Sequence, residues 1–136
     1  MRIIQVAGYA NSGKTTFIRT LIPVLKLRGR VGVIKHLGEH DYLLDEGKDT
    51  TCFFEDGADI SAGIDVTKSV ITLNSNNLND MLLFFKNKGI DFAIIEGFKK
   101  LNFPKIVIGD LPCDTSILQN PSVDQVMSSL SLFEDY

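Results

Sequence analysis

Gly8, Gly13, Lys14 and Thr15 stand in the spacing G-x-x-x-x-G-K-T inside the stretch GYANSGKTT, residues 8–16. The chemistry of that spacing is phosphate binding. Glycines allow a tight turn whose amides point inward, the lysine reaches β and γ phosphates, and the hydroxyl that follows it ligates Mg²⁺. Asn11 and Ser12 lie in the turn and Thr16 follows the hydroxyl, so these residues together form a candidate cradle for a nucleoside triphosphate with Mg²⁺. The same chemistry asks for a carboxylate near the metal, normally from the end of a neighbouring buried strand. Glu96 ends the apolar run of residues 90–95 and precedes Gly97, which makes it the first candidate. Asp91 opens the same run, roughly 16 Å from that end, and is too far away. A solvated strand-end carboxylate is the plainer reading of Glu96.

Lys99 follows Glu96 closely enough to approach phosphate, with Lys100 beside it; a surface position is equally economical. A polar segment over 36–50 starts at the end of a second strand-like run, 31–35, at the sheet edge where the phosphate loop must lie. His36 is therefore a candidate cleft residue, and Asp45, Lys48 and Asp49 have the chemistry for a magnesium–water network or for phosphate. Asp49, directly before Thr50 and Thr51, could instead cap the next helix. His36 and His40 are separated by Gly38, which argues against a regular helix, and there is no H-E-x-x-H pattern, so a permanent zinc site is not expected.

A phosphate loop works only between a strand and a helix N-terminus. Ile3, Ile4 and Val6 form a short β-branched run before it, and Phe17, Ile18, Leu21, Ile22 and Leu25 share one helical face after it. Pro23 should kink or constrain that helix, which ends by Gly29. Downstream the pattern predicts a short helix over 51–59, strands over 60–63 and 69–73, and an asparagine-rich turn and helix cap over 74–79. Leu78, Met81, Leu82 and Phe85 then fall at i, i+3, i+4 and i+7 on a helix that Gly89 can stop. Strands over 90–96 and 105–108 follow, and a last helix carries Val123, Val126, Met127 and Leu130. Strands alternating with helices predict an α/β, P-loop NTPase-like three-layer sandwich with a mostly parallel sheet.

With 136 residues, 44% of them hydrophobic, the chain fits a single nucleotide-binding domain over 1–136. A net charge of -3 gives no general reason to expect nucleic acid or an anionic membrane as partner. The two cysteines, Cys52 and Cys113, lack the short spacings of zinc or redox pairs and are expected as reduced thiols. The first apolar run is too short for a signal-peptide core, and no segment reaches the roughly 20 apolar residues of a membrane span, so a cytoplasmic protein is expected. No Asn-Lys-x-Asp or Thr-Lys-x-Asp stretch is present, so GTP and ATP are not separated by motif.

Taken in order, GYANSGKTT (8–16), VIKH (33–36), GKDT (47–50), Gly57-Ala58, EGFK (96–99) and Pro104-Lys105-Ile106 closely resemble the MobB family, the molybdopterin-guanine dinucleotide biosynthesis protein B group of P-loop GTP-binding adaptors. The resemblance spans roughly positions 2–109; the loop is generic, whereas IKH, GKDT and EGFK in this order are specific. It implies a homodimeric, weakly GTP-hydrolysing accessory protein of molybdenum cofactor biosynthesis. The implied partners are the MobA-like guanylyltransferase that joins GMP to molybdopterin and a molybdopterin-loading protein. It further implies that Lys14 and Thr15 hold phosphate and Mg²⁺, that Asp49 and Glu96 serve the nucleotide and its metal, that His36 and Lys99 line the cleft, and that additional strands join two subunits. His40, Tyr42 and Asp45 stand one position farther from IKH than is usual in the family, and Glu46 replaces the frequent proline before Gly47. On the motifs alone, an ATP-dependent small-molecule kinase or a noncatalytic, nucleotide-dependent interaction protein would use the same cradle.

Overall fold

The central strand, β1 (Arg2–Ala7), carries the phosphate loop at its end and leads into α1 (Lys14–Lys26). The remaining elements are β2 (Val31–Lys35), α2 (Asp49–Glu55), β3 (Ile60–Ile64), β4 (Ser69–Leu73), α3 (Leu78–Asn87), β5 (Phe92–Glu96), β6 (Lys105–Val107), β7 (Ser116–Gln119), α4 (Val123–Ser128), a 3-10 turn (Leu130–Leu132) and β8 (Glu134–Asp135). This computed structural model describes residues 1–38 and 40–136. The chain divides into two compact units, one formed by Met1–Gly38 with Met81–Tyr136 and the other by Glu39–Asp80.

In the first unit the strands run in the order β2-β5-β1-β6-β7, all parallel, and β8 pairs antiparallel with the start of β1. Strands covered on both faces read as nearly continuous apolar runs, and β5, with its sequence FAIIE, is such a strand. The register sets Ile4 beside Ile94 and Val6 between Glu96 and Ile106. These residues share one face, where Ile4, Val6, Ile94 and Ile106 pack with Ile18, Leu21 and Leu25 of α1, with Val126 of α4 and with Phe133. The alternate residues, Ile3, Gln5, Ile95 and Lys105, point to the other face and are also buried. Gly32 in β2 leaves room there for α3, since a Cβ on it would lie 2.4 Å from the Phe85 ring. The helices on the two faces and the sheet between them make the expected three layers, a P-loop NTPase-like α/β sandwich.

Pro23 falls in the last turn of α1, and the helix continues past it to Lys26. Beyond it the amides of Arg28 and Gly29 close onto the Leu25 carbonyl. α3 is stopped by Gly89 at φ 68, whose left-handed conformation lets the Gly89 and Ile90 amides turn back to the carbonyls of Lys86 and Phe85. Three elements differ from the expectation by two residues or more. β5 starts at Phe92 because the amides of Asp91 and Phe92 are both taken by the Arg30 carbonyl. The helix expected over 51–59 is Asp49–Glu55. The last helix ends at Ser128, leaving Leu130 in the 3-10 turn.

The second unit contains α2 and the antiparallel hairpin β3–β4, paired from Ile60 with Leu73 to Ile64 with Ser69. Asp65 makes the turn: one carboxylate oxygen accepts the amides of Thr67 and Lys68 at 2.7 and 2.8 Å, and the other pairs with the Lys68 ammonium at 2.7 Å. Those contacts hold the Asp65 carboxyl well below the usual carboxylate range. Ser61 is buried and donates to the Thr50 carbonyl, 2.7 Å away. Ile60, Ala62 and Ile64 alternate with it and, with Ile71, form an exposed apolar face on which Ile64 is 82% accessible. Among the described residues no helix is long and apolar enough to cross a membrane.

Candidate functional site

The phosphate loop is built around positions that exclude side chains. A Cβ on Gly8 would lie 2.3 Å from the Ile108 carbonyl oxygen and 2.6 Å from Ser12 Oγ, so only glycine lets the loop pass over the end of β6. Asn11 and Gly13 take left-handed conformations, φ 58 and 93, which asparagine and glycine tolerate best. Gly13 caps α1, and the Phe17 amide closes the first helical bond onto its carbonyl at 2.9 Å. The amides of the first helical turn, which includes Thr15 and Thr16, have no partner within a helix and carry its positive end. Ser12 Oγ is buried beneath the loop and has no hydrogen-bond partner among the described residues.

Glu96 sits on the α1 face at the end of β5, only 8% exposed. The Thr15 hydroxyl lies 3.1 and 3.3 Å from its two carboxylate oxygens and donates to them. The hydroxyl and the carboxylate singled out in the sequence are therefore neighbours. Lys14 folds back so that Nζ donates to the Tyr9 carbonyl at 2.6 Å, and Lys99 Nζ rests 5.2 Å from the centre of the Tyr9 ring. Burial pushes the Lys14 ammonium below its usual value; Glu96 opposes that shift, while Lys99 and then Lys35 reinforce it. Lys14 thus feels two other ammonium groups and one carboxylate, a surplus of positive charge that favours an added anion.

His36 follows β2, and its amide donates to the Glu96 carbonyl at 2.9 Å. Its ring stacks on Phe98, with centroids 4.1 Å apart. Gly97 adopts φ 96 against His36, and Phe98 is left-handed at φ 49. One unit thus brings together Gly8, Asn11, Ser12, Gly13, Lys14, Thr15, Glu96, His36 and Lys99. Lys100 is exposed.

Asp49 belongs to the second unit, where it is exposed at the first position of α2. It is not the helix cap: that position is held by Lys48, with no side-chain capping bond, and Asp49 contributes a first-turn carboxylate. Asp45 and Lys48 form an exposed ion pair at 2.5 Å, which engages two of the charged groups offered by the polar segment. Thr51 Oγ1 donates to the Asp45 carbonyl at 2.8 Å, tying that segment to α2.

Tyr9 and Lys35 lie inside the motifs GYANSGKTT and VIKH, which by themselves give neither side chain a role at the site. Lys35 had a usable signal: it ends a strand that pairs in register with Glu96, as the last residue of β2. Tyr9 is a variable position of the loop motif, and nothing in the spacing marks it.

A parallel α/β sheet that sets a glycine turn, a lysine and a hydroxyl between its central strand and first helix, with a carboxylate of the adjacent strand on that hydroxyl, defines a P-loop NTPase-like protein. The family described as MobB, molybdopterin guanine dinucleotide synthesis protein B, matches residues 3–129. The chain belongs to the MobB family. It is 36% identical over 121 residues to a probable molybdopterin-guanine dinucleotide biosynthesis adapter protein of Bacillus subtilis, covering 86% of this chain and 70% of that one. It is 38% identical over 112 residues to a putative adapter protein of the same description from Methanocaldococcus jannaschii, covering 79% of this chain and 47% of the relative. The chain thus spans about half the length of the latter. The crystal structure of Bacillus subtilis MobB superposes with a TM-score of 0.73 at 25% identity, covering 100% of both chains.

Proposed function

We propose that this chain is a cytoplasmic, GTP-binding and weakly GTP-hydrolysing adaptor of molybdenum cofactor biosynthesis. It acts beside the guanylyltransferase that forms molybdopterin guanine dinucleotide and beside a molybdopterin-loading protein. The observation that carries the reading is the Thr15 hydroxyl on the buried Glu96 carboxylate at the mouth of the phosphate loop, 3.1 Å away, in a chain of this family. Hard oxygen donors, few in number, suit Mg²⁺, which keeps several waters and takes one or two protein ligands with substrate phosphates. Thr15 and Glu96 fit that requirement, and bound Mg²⁺ would neutralise charge on the β and γ phosphates. The loop amides and Lys14 hold the phosphates, Thr16 continues the amide cradle, and His36 and Lys99 border the cleft. The family resemblance, and not a contact in the structure, gives Asp49 the role of organising water for the nucleotide. Among the described residues gathered at the loop none is an arginine, the group that accelerates such transfer most, which supports slow turnover by the chain alone.

Asp49→Asn is expected to lower GTP turnover about tenfold, as loss of a residue acting through a metal's water shell does, while the GTP Kd stays within about threefold. Steady-state phosphate release and calorimetry read the two quantities. Equal losses in affinity and turnover, or no loss in either, would contradict this role.

The exposed Ile60, Ile64 and Ile71 face supports a homodimer. A two-stranded sheet with an open apolar face is marginal alone and gains stability when a second surface covers it. Ile64→Asp should shift the chain to monomer in light scattering at concentrations where the unsubstituted chain is dimeric. A dimer of unchanged stability would remove the hairpin from the interface.

A further inference from the structure

Two polar side chains are buried on the sheet face opposite α1, Gln5 at 0% and Lys105 at 1% exposure. They are register partners on the adjacent strands β1 and β6 and so stand side by side. Gln5 Nε2 donates to the carbonyls of Gly97 and Phe98, both at 2.8 Å. Lys105 Nζ donates to the carbonyls of Lys99, at 3.2 Å, and Leu101. Among the described residues Lys105 has no carboxylate partner, and Gln5 Oε1 has no hydrogen-bond partner at all.

An ammonium buried without a counter-charge, next to an unsatisfied amide oxygen, is unfavourable, and apolar residues of similar volume would fill both positions with less penalty. What these two side chains accomplish is specific. Four carbonyls of one loop, residues 97–101, are held from below, and Phe98 is kept in a left-handed conformation that a bulky residue rarely adopts unaided. That loop directly follows Glu96. Its Phe98 stacks on His36, and its Lys99 reaches Tyr9, the residue whose carbonyl also holds Lys14.

We propose that Gln5 and Lys105 are positioning residues of the nucleotide site. They clamp the loop of residues 97–101 so that Lys99 is delivered to the terminal phosphate, which makes the site discriminate a nucleoside triphosphate from a diphosphate. The inference rests on the triphosphate reading above. A diphosphate needs only the loop amides and Lys14, whereas a third phosphate is the group that Lys99 meets.

Calorimetry of GTP and GDP with Mg²⁺ on the full chain tests this. Lys105→Met should raise the GTP Kd at least about tenfold, as loss of one charge-assisted contact does, and the GDP Kd by less than about threefold. Lys99→Met should give the same pattern, and the double variant should be no worse than either single one, because Lys105 acts through Lys99. Gln5→Met repeats the test should Lys105→Met fail to fold. Equal losses for GTP and GDP, additive losses in the double variant, or an unchanged GTP to GDP ratio would overturn the clamp. Where the unsubstituted chain binds GTP through Lys14 and only the ratio fails to respond, the clamp alone is wrong; where that chain binds no triphosphate, the parent reading falls and the clamp with it.

Discussion

Lys14→Ala is expected to weaken GTP binding by about 10- to 100-fold, the consequence of removing a charged donor worth about 1.5–3 kcal/mol, without unfolding the chain. Among the described residues its ammonium donates to the Tyr9 carbonyl alone, so little structure depends on it. Calorimetry reads the affinity and a melting curve reads the fold. The direction of the Lys14 shift adds a pH dependence. Burial beside Lys99 and Lys35 lowers its value, whereas a polyphosphate at the same place favours the ammonium. GTP affinity should therefore fall as pH rises through that lowered value, and the fall should be absent in Lys14→Ala. Unchanged affinity in this variant would remove Lys14 from the phosphate site.

Glu96→Gln is the second large effect, and it separates charge from shape. The amide keeps the volume and an acceptor for the Thr15 hydroxyl, so the hydrogen bond at 3.1 Å survives. What is lost is the negative charge that would face a bound Mg²⁺. The Mg²⁺ concentration needed for half-maximal GTP binding should rise at least about tenfold, in the range typical of a lost metal-site partner, while binding measured in chelator stays as it was. Stability should be unchanged or slightly higher, because a buried carboxylate with a single hydroxyl donor gives way to a neutral group. Identical magnesium titrations for the two chains would count against Glu96 as the metal-side carboxylate.

Much of the first unit was legible because its signals are local and periodic. Position along the strand explains why Glu96 rather than Asp91 reaches Thr15: Glu96 is the last residue of β5, at the end where the loop lies, whereas Asp91 precedes the strand's first residue. The α3 stripe and the Gly89 stop follow from helical period and a left-handed glycine. The elements that escaped notice lack such signals. β8 is two exposed residues, Glu134 and Asp135, that become a strand only by pairing with Arg2 and Ile3. β7 is four residues long, and its pairing with β6 carries a register shift.

At the site, the loop, Glu96, His36 and Lys99 could be nominated from residue type and position, but not what holds them. Gln5 interrupts an apolar strand and Lys105 opens one, and neither reveals from spacing that it faces the carbonyls of residues 97–101. The ambiguity at Asp49 came from helix-end chemistry. A carboxylate before two threonines fits a cap and a first-turn acid equally well, and only the backbone, with Lys48 extended at φ -81 and ψ 138, separates them.

The central claim is that the phosphate loop, Thr15 and Glu96 hold GTP with Mg²⁺. Calorimetry of GTP, GDP and ATP against the full chain, with Mg²⁺ and then with chelator, tests it most directly. The account predicts GTP binding at least about tenfold tighter than ATP, a 1.4 kcal/mol difference, and weakened when the metal is withdrawn. ATP binding as tight as GTP or tighter, or GTP binding indifferent to Mg²⁺, would contradict it; ATP preference would point instead to a kinase and to a screen for its acceptor.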